Sequence, residues 1–267
     1  MTETRTTRPA PDYVPGHGLL DDKVVVLTAA AGAGIGAAAA RRSLEEGARA
    51  VVISDTHERR LAESAAALAD EFGTQRVHAQ LCNVTVEADV RGLLEVADGL
   101  GGLDVMINNA GLGGTANVLE MTDEQWLGVV DVTLTGTFRC VRAAGEHLVR
   151  HGKAGVIVNN ASVVGWRAQE GQAHYAAAKA GVMALTRCVA MDLAEHGIRV
   201  NAVSPSLAMH PFLAKVTSDE LLNQLTRREA FGRAAEPWEI ANVMVFLASD
   251  YASYMTGETI AVSSQHP

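Results

Sequence analysis

The feature that most restricts how this chain can fold is the steady alternation of short Val/Ile-rich runs with longer Ala/Leu/Glu-rich stretches. Seven apolar runs, at residues 23–27, 50–54, 77–81, 103–107, 156–159, 199–203 and 259–262, have strand length and strand composition. The stretches at 36–46, 58–72, 87–100, 123–150, 174–196 and 237–248 are long enough for helices. Strand and helix in strict succession build right-handed crossovers, and crossovers build a parallel sheet covered on both faces. Runs such as VVVL and VVIS, apolar almost throughout, suit strands buried on both sides. The expected fold is therefore α/β, a Rossmann-type, doubly wound, seven-stranded parallel sheet. With 267 residues, 48% of them hydrophobic, the chain suffices for one full core, so a single domain is expected at 21–267 behind a flexible arm at 1–20. The stretch following the sixth strand, about 206–230, is expected to form a lid.

Composition narrows the setting. No run approaches the roughly 20 apolar residues of a membrane span, and the opening residues lack the apolar segment of a secretory signal. Cys82, Cys140 and Cys188 are scattered without a C-x-x-C pair, which fits reduced, buried, inert thiols and a cytoplasmic protein. A net charge of −9 argues against a nucleic-acid partner.

After the first strand the chain reads TAAAGAGIG and runs directly into a helix, with glycines at Gly32, Gly34 and Gly36 around Ile35. Such a turn lets backbone N–H groups approach a pyrophosphate at a helix N-terminus. The second strand leads to Asp55, about 20 residues beyond the glycines, where a carboxylate can hold both adenosine ribose hydroxyls and repel a 2′-phosphate. Neither turn alanine supplies a cation, so NAD is expected rather than NADP, with Arg59 and Arg60 read as a solvated first helical turn. Tyr175 and Lys179, at i and i+4, share one helix face; a neighbouring cation is expected to pull a phenol below its usual value near 10 and make it an acid/base.

The glycine turn, Asn108-Asn109-Ala110-Gly111, and a Ser162 thirteen residues before Tyr175-Ala-Ala-Ala-Lys179 together resemble the short-chain dehydrogenase/reductase family from about Lys23 onward. The resemblance implies a nicotinamide cofactor, catalysis by Ser162, Tyr175 and Lys179, Lys179 also gripping the nicotinamide ribose, and a homotetramer assembled through the helices at 123–150 and 174–196. It assigns cofactor contacts to Asn83, Val84, Asn109, Ala110, Gly111 and Pro205 as well. Asn83 stands where an Asp usually meets adenine. Gly113, Trp166, Met209 and His210 are expected to line the substrate mouth, beside Leu112, Gly114, Arg167 and Phe212. Beyond Asn83, four features depart from the family pattern. Ala29 replaces a turn glycine, Thr133 replaces an Asn that extends the proton relay, Pro205-Ser206 replaces Pro-Gly, and the lid lacks its usual Thr.

Longer stretches, among them NNASVVGWRAQ, HYAAAKAGVMALTRC, EAFGRAAEPWE and the terminal SSQHP, resemble actinobacterial dehydrogenases of steroid-ring breakdown. That resemblance implies a ring hydroxyl on a bicyclic indane remnant carried as a coenzyme A thioester; Lys215, Arg227, Arg228 and Arg233 could meet its phosphates, although scattered surface charge is the commoner explanation for such residues. Two other readings stay open: an NADPH-dependent 3-oxoacyl thioester reductase, disfavoured by Asp55, and a catalytically silent nucleotide-sensing protein, disfavoured by the intact Ser162, Tyr175 and Lys179. His147 and His151 form an H-x-x-x-H pair without a metalloprotease Glu; a solvated helix end is expected and no metal.

Overall fold

The computed structural model describes residues 8–209 and 219–265. Seven parallel strands, β1 Val24–Leu27, β2 Ala50–Asp55, β3 Val77–Leu81, β4 Val105–Asn108, β5 Gly155–Asn160, β6 Ile198–Pro205 and β7 Thr259–Val262, lie in the order β3-β2-β1-β4-β5-β6-β7. The helices are α1 Ile35–Glu45, α2 Glu58–Phe72, α3 Glu87–Asp98, α4 Asp123–Val130, α5 Gly136–Arg150, α6 Ala173–Leu193, α7 Asp219–Arg228 and α8 Pro237–Ala248. This is the expected Rossmann-type sheet, in a single domain. Strand alternation divides the core in two: Val25, Leu27, Val51 and Ile53 face α1 and α8, whereas Val24, Val26, Val52 and Met106 face α3 and α5. The chain crosses one face after β1 and the other after β4, and these two strands pair side by side with Leu27 level with Ile107. Their carboxyl ends open the crevice where this topology places ligands.

Local signals account for the element ends. Thr122 and Gln125 form a capping box at α4, Pro237 occupies the first turn of α8, and Gly73 closes α2 at φ 99°. The stretch expected as one helix at 123–150 is interrupted by a π turn over Asp131–Thr135. A Cβ on Gly136 would lie 2.6 Å from Val84 Cγ2, so the helix approaches the β3 loop too closely for a larger residue. Helix α7 falls inside the stretch expected as a lid, of which 210–218 lies outside the described residues.

Residues 8–20 carry no helix or strand, yet they are docked. Glu46 accepts from His17 and Leu19 N–H at 2.7 and 3.0 Å, Arg42 bonds the Val14 carbonyl, and Tyr13 meets Trp238 edge-on at 5.3 Å. Cys82 and Cys140 are buried, and burial raises the Cys82 thiol to about 12; Cys188 is exposed, against expectation, because it lies on the outer side of α6. Among the described residues no helix is long and apolar enough to cross a membrane.

Candidate active site

The glycine turn sits at the mouth of the crevice. A Cβ on Gly36 would fall 2.4 Å from the Ala29 carbonyl oxygen and 2.6 Å from Asn109 Nδ2, so only glycine admits this approach of helix to strand. Ala29 holds φ 50°, where the family's glycine would be at ease; the left-handed conformation costs an alanine ~1–2 kcal/mol. Helix α1 starts at Gly34 with no side-chain cap and no acidic residue in its first turn, which leaves its N–H groups available to an anion. Thr28 Oγ1 accepts from the N–H groups of Asn109 and Ala110, both at 3.0 Å, and locks this turn to the end of β4. A cavity of about 490 Å³ borders the same turn from the side of α1, α2 and Trp238, without reaching Tyr175.

Asp55 ends β2 nearly buried. Arg60 is not a freely solvated residue as expected: its guanidinium pairs with Asp55 Oδ1 at 3.2 Å, while His57 N–H donates to the same oxygen at 3.0 Å. Arg59 does turn outward, to Glu63. Asn83 Oδ1 accepts from Thr85 N–H and Oγ1 at 3.0 and 2.9 Å, so its amide nitrogen is the group left to meet a base. Val84 is buried against Gly136, and Pro205 is buried at the end of β6.

Ser162 leaves β5 and caps the short turn Val163–Gly165. Gly165 is pressed onto α6: a Cβ there would lie 3.0 Å from Ala180 N and 2.8 Å from Met183 Cε, which forces Ser162 against the face bearing Tyr175 and Lys179. Burial raises the Tyr175 phenol above its ordinary value, and a hydrogen bond with Ser162 pulls the other way. Lys179 is 3% exposed, and burial lowers its ammonium to about 8. The expected lowering of Tyr175 by Lys179 is therefore not what the chain alone displays. Both groups share a dry site, and desolvation is the leading cause of each shift. Lys179 Nζ lies 5.6 Å from the Tyr175 ring centroid and donates to the Asn160 carbonyl at 2.5 Å.

Asn159 and Asn160 were not singled out from the sequence. Asn108 Nδ2 donates to Asn159 Oδ1 at 2.9 Å, and Asn159 Nδ2 donates to Thr186 on α6 at 2.9 Å. Asn160 Nδ2 donates to Asn109 Oδ1 at 2.9 Å, so one amide ladder ties the glycine turn, β4, β5 and Lys179 together. The signal was present: both strands end in Asn-Asn, and the register sets Asn108 level with Asn159. Thr133 is fully buried, and its hydroxyl accepts from Leu112 N–H at 3.0 Å and donates to Leu112 O at 3.1 Å, fixing the loop after β4. Gln172 donates to Gly114 O at 2.6 Å, and a Cβ on Gly114 would lie 3.4 Å from buried His174 Nε2, so the start of α6 clamps the same loop.

A Cβ on Gly113 would meet nothing within 4 Å, and Trp166 is exposed at the turn after Ser162. Met209 N–H donates to Ala235 O at 3.0 Å, whereas His210, Phe212 and Lys215 lie outside the described residues. Arg233 is engaged by Glu239 at 2.5 and 2.8 Å rather than free for a phosphate. Glu229, buried beneath α7, accepts from Ser206 Oγ at 3.2 Å, Leu207 N–H at 3.3 Å and Ser264 Oγ at 2.7 Å, and also from Gln265. Gln265 in turn accepts from Arg167, which links the segment after Ser162 to this hub.

The family model described as enoyl-(acyl carrier protein) reductase matches residues 29–264. The chain is a short-chain dehydrogenase/reductase. It is 61% identical over 259 residues, 97% of this chain and 98% of the relative, to the (5R,7aS)-5-hydroxy-7a-methyl-1-oxo-2,3,5,6,7,7a-hexahydro-1H-indene-carboxyl-CoA reductase of Mycobacterium tuberculosis. A 3-oxoacyl-(acyl-carrier-protein) reductase FabG of Staphylococcus aureus is 37% identical, over 89% of this chain and 95% of its own. The crystal structure of a short chain dehydrogenase from Mycobacterium smegmatis superposes with a TM-score of 0.86 at 54% identity, covering 97% of this chain and 99% of that one. This short-chain dehydrogenase/reductase is thus an oxidoreductase whose family uses an NAD(P) nucleotide.

Proposed function

We propose that this enzyme transfers a hydride between NAD(H) and a secondary alcohol or ketone on a bicyclic, steroid-derived ring carried as a coenzyme A thioester. The observation that carries the reading is the Ser162–Tyr175–Lys179 cluster at the crevice, in a chain 61% identical along nearly its whole length to a reductase of such a thioester. The nucleotide, when bound, supplies or accepts the hydride. Gly32, Gly34, Ile35 and Gly36 would receive its pyrophosphate at α1; Asn109, Ala110, Gly111 and Pro205 would border it, and Asn83 and Val84 would flank its adenine. Lys179 would grip the nicotinamide ribose.

At the reacting end, Ser162 Oγ holds the substrate oxygen and Tyr175 Oη exchanges the hydroxyl proton with it. Asn160 fixes Lys179 one helical turn away. Gly113, Trp166, Met209 and His210 would form the substrate mouth under a lid at 206–230.

Asp55 carries the preference for NAD, since its two hydrogen bonds from Arg60 and His57 both fall on Oδ1. Arg60 is also the group best placed to meet a 2′-phosphate once that carboxylate is gone. Cofactor absorbance with NAD and NADP, across simple 3-hydroxyacyl thioesters and hydroxyindane thioesters, tests the reading. Turnover is expected with NAD on the cyclic substrate, and Asp55→Ala is expected to shift the NAD/NADP ratio by ~10-fold or more toward NADP, about 1.4 kcal/mol of lost discrimination. A preference for NADPH with linear 3-oxoacyl thioesters would favour the carrier-protein reductase, and tight nucleotide binding without turnover on any substrate would favour a silent sensor.

The enzyme is proposed to work in the cytoplasm as a homotetramer. Trp126, Leu127 and Phe138 along α4 and α5, and Met191 on α6, are exposed apolar residues on the helices expected at that interface. Light scattering is expected to give four times the chain mass, and a monomer would refute the assembly.

A further inference from the structure

Of the H-x-x-x-H pair at the end of α5, only His151 reaches solvent. His147 is 3% exposed beneath the loop that leads into β4, while His151 is partly exposed one turn later. The end of α3 brings in a third group that the sequence spacing did not reveal: Asp98 Oδ1 lies 3.4 Å from His147 Nε2 and 3.6 Å from His151 Nε2, with all three ligand atoms within 4.8 Å of one another.

The hydrogen bonds define which atoms carry lone pairs. His151 Nδ1 lies 2.8 Å from the His147 carbonyl oxygen, and since that oxygen only accepts, Nδ1 holds the proton and Nε2 of the neutral ring is bare. His147 Nε2 faces the Leu103 N–H at 3.4 Å and is an acceptor as well. Asp98 Oδ1 and the bare His151 Nε2 therefore converge with His147 Nε2, whose single lone pair receives only the long contact from the Leu103 N–H, and a cation at the centre would replace that contact and relieve the repulsion among the three. The two spacings from Asp98 to the imidazole nitrogens match those of a metal site. Two ligand atoms each about 2.1 Å from a tetrahedral ion stand about 3.4 Å apart, whereas octahedral neighbours stand about 3.0 Å apart. The carbonyl bond that fixes the His151 ring is also the outer contact usual for a metal-bound imidazole.

We propose that Asp98, His147 and His151 bind one divalent ion of borderline softness, with Zn²⁺ the best match to two imidazoles, one carboxylate and an open fourth position for water. The site lies at the amino-terminal edge of the sheet, just before β4, away from Ser162 and Tyr175, so its role is to staple the end of α3 to the end of α5 rather than to take part in hydride transfer.

Calorimetric titration of tag-free, chelator-treated full-length enzyme with ZnCl₂ tests this, together with Co²⁺ substitution read by visible absorption. One saturable Zn²⁺ per chain is expected, with the intense spectrum of tetrahedral Co²⁺ and a rise in Tm of roughly 5–10 °C at about a hundredfold excess over Kd. Asp98→Asn and His151→Ala alter exposed side chains and leave the core intact; each is expected to weaken binding by more than ~10-fold with turnover unchanged. Absence of saturable binding, or equal binding by the parent and both variants, would overturn the site.

Discussion

Tyr175→Phe is expected to lower turnover by ~10²–10⁴-fold, the range general acid–base catalysis supplies, while nucleotide affinity stays within about twofold. The phenol and the benzyl ring have nearly the same shape, so packing on α6 is preserved and only the proton-carrying oxygen is lost. Stopped assays alongside fluorescence titration with the reduced nucleotide separate the two effects. If the variant kept a tenth or more of parental turnover, another group would be exchanging the proton. The raised phenol also fixes a sign: in the nucleotide-free chain Tyr175 stays protonated throughout the neutral range.

Lys179→Met is expected to abolish measurable turnover and at the same time to stabilise the protein at pH 7. Burial brings the Lys179 ammonium from 10.5 to about 8, so the folded state releases its proton sooner than the unfolded state does. Below pH 8 both states are charged and the folded one carries the full cost of the buried charge, on the order of 3 kcal/mol. Between pH 8 and 10.5 the unfolded chain binds more protons and stability rises with pH; above 10.5 this cost is gone. Methionine removes the charge at every pH and forfeits the bond to Asn160 O, worth about 1 kcal/mol. The net is a gain of about 1–3 kcal/mol at pH 7, or roughly 5 °C in Tm, which should vanish as the pH passes 10.5. A lower Tm at pH 7 would mean that the ammonium supports the fold.

These two residues were legible in the sequence because helical spacing and a fixed distance from Ser162 are local patterns. All seven strands were legible for the same reason, since an apolar run between turn residues is set by its own neighbours. What the sequence concealed depends on tertiary approach. The amide ladder through Asn159 and Asn160 needs the parallel register of β4 and β5, and the π turn at Asp131–Thr135 needs the loop that Thr133 holds. Arg60 looked like a solvated residue because its partner, Asp55, is reached only when the first turn of α2 folds back over β2. The sign of the Tyr175 shift was hidden as well, because spacing reports that a cation is near but not that water has been removed from both groups.

The bonds gathered on Glu229 also bear on how the protein tolerates change. Segments far apart in the chain, the stretch after β6 and the carboxyl-terminal tail, meet at one carboxylate, and the tail passes the connection on to Arg167 in the segment that follows Ser162. An engineer would call this a single point of failure. Substitutions elsewhere around this hub each remove one strut, but the loss of this one side chain uncouples several struts together, so the stretch after β6 and the tail depend on a single position.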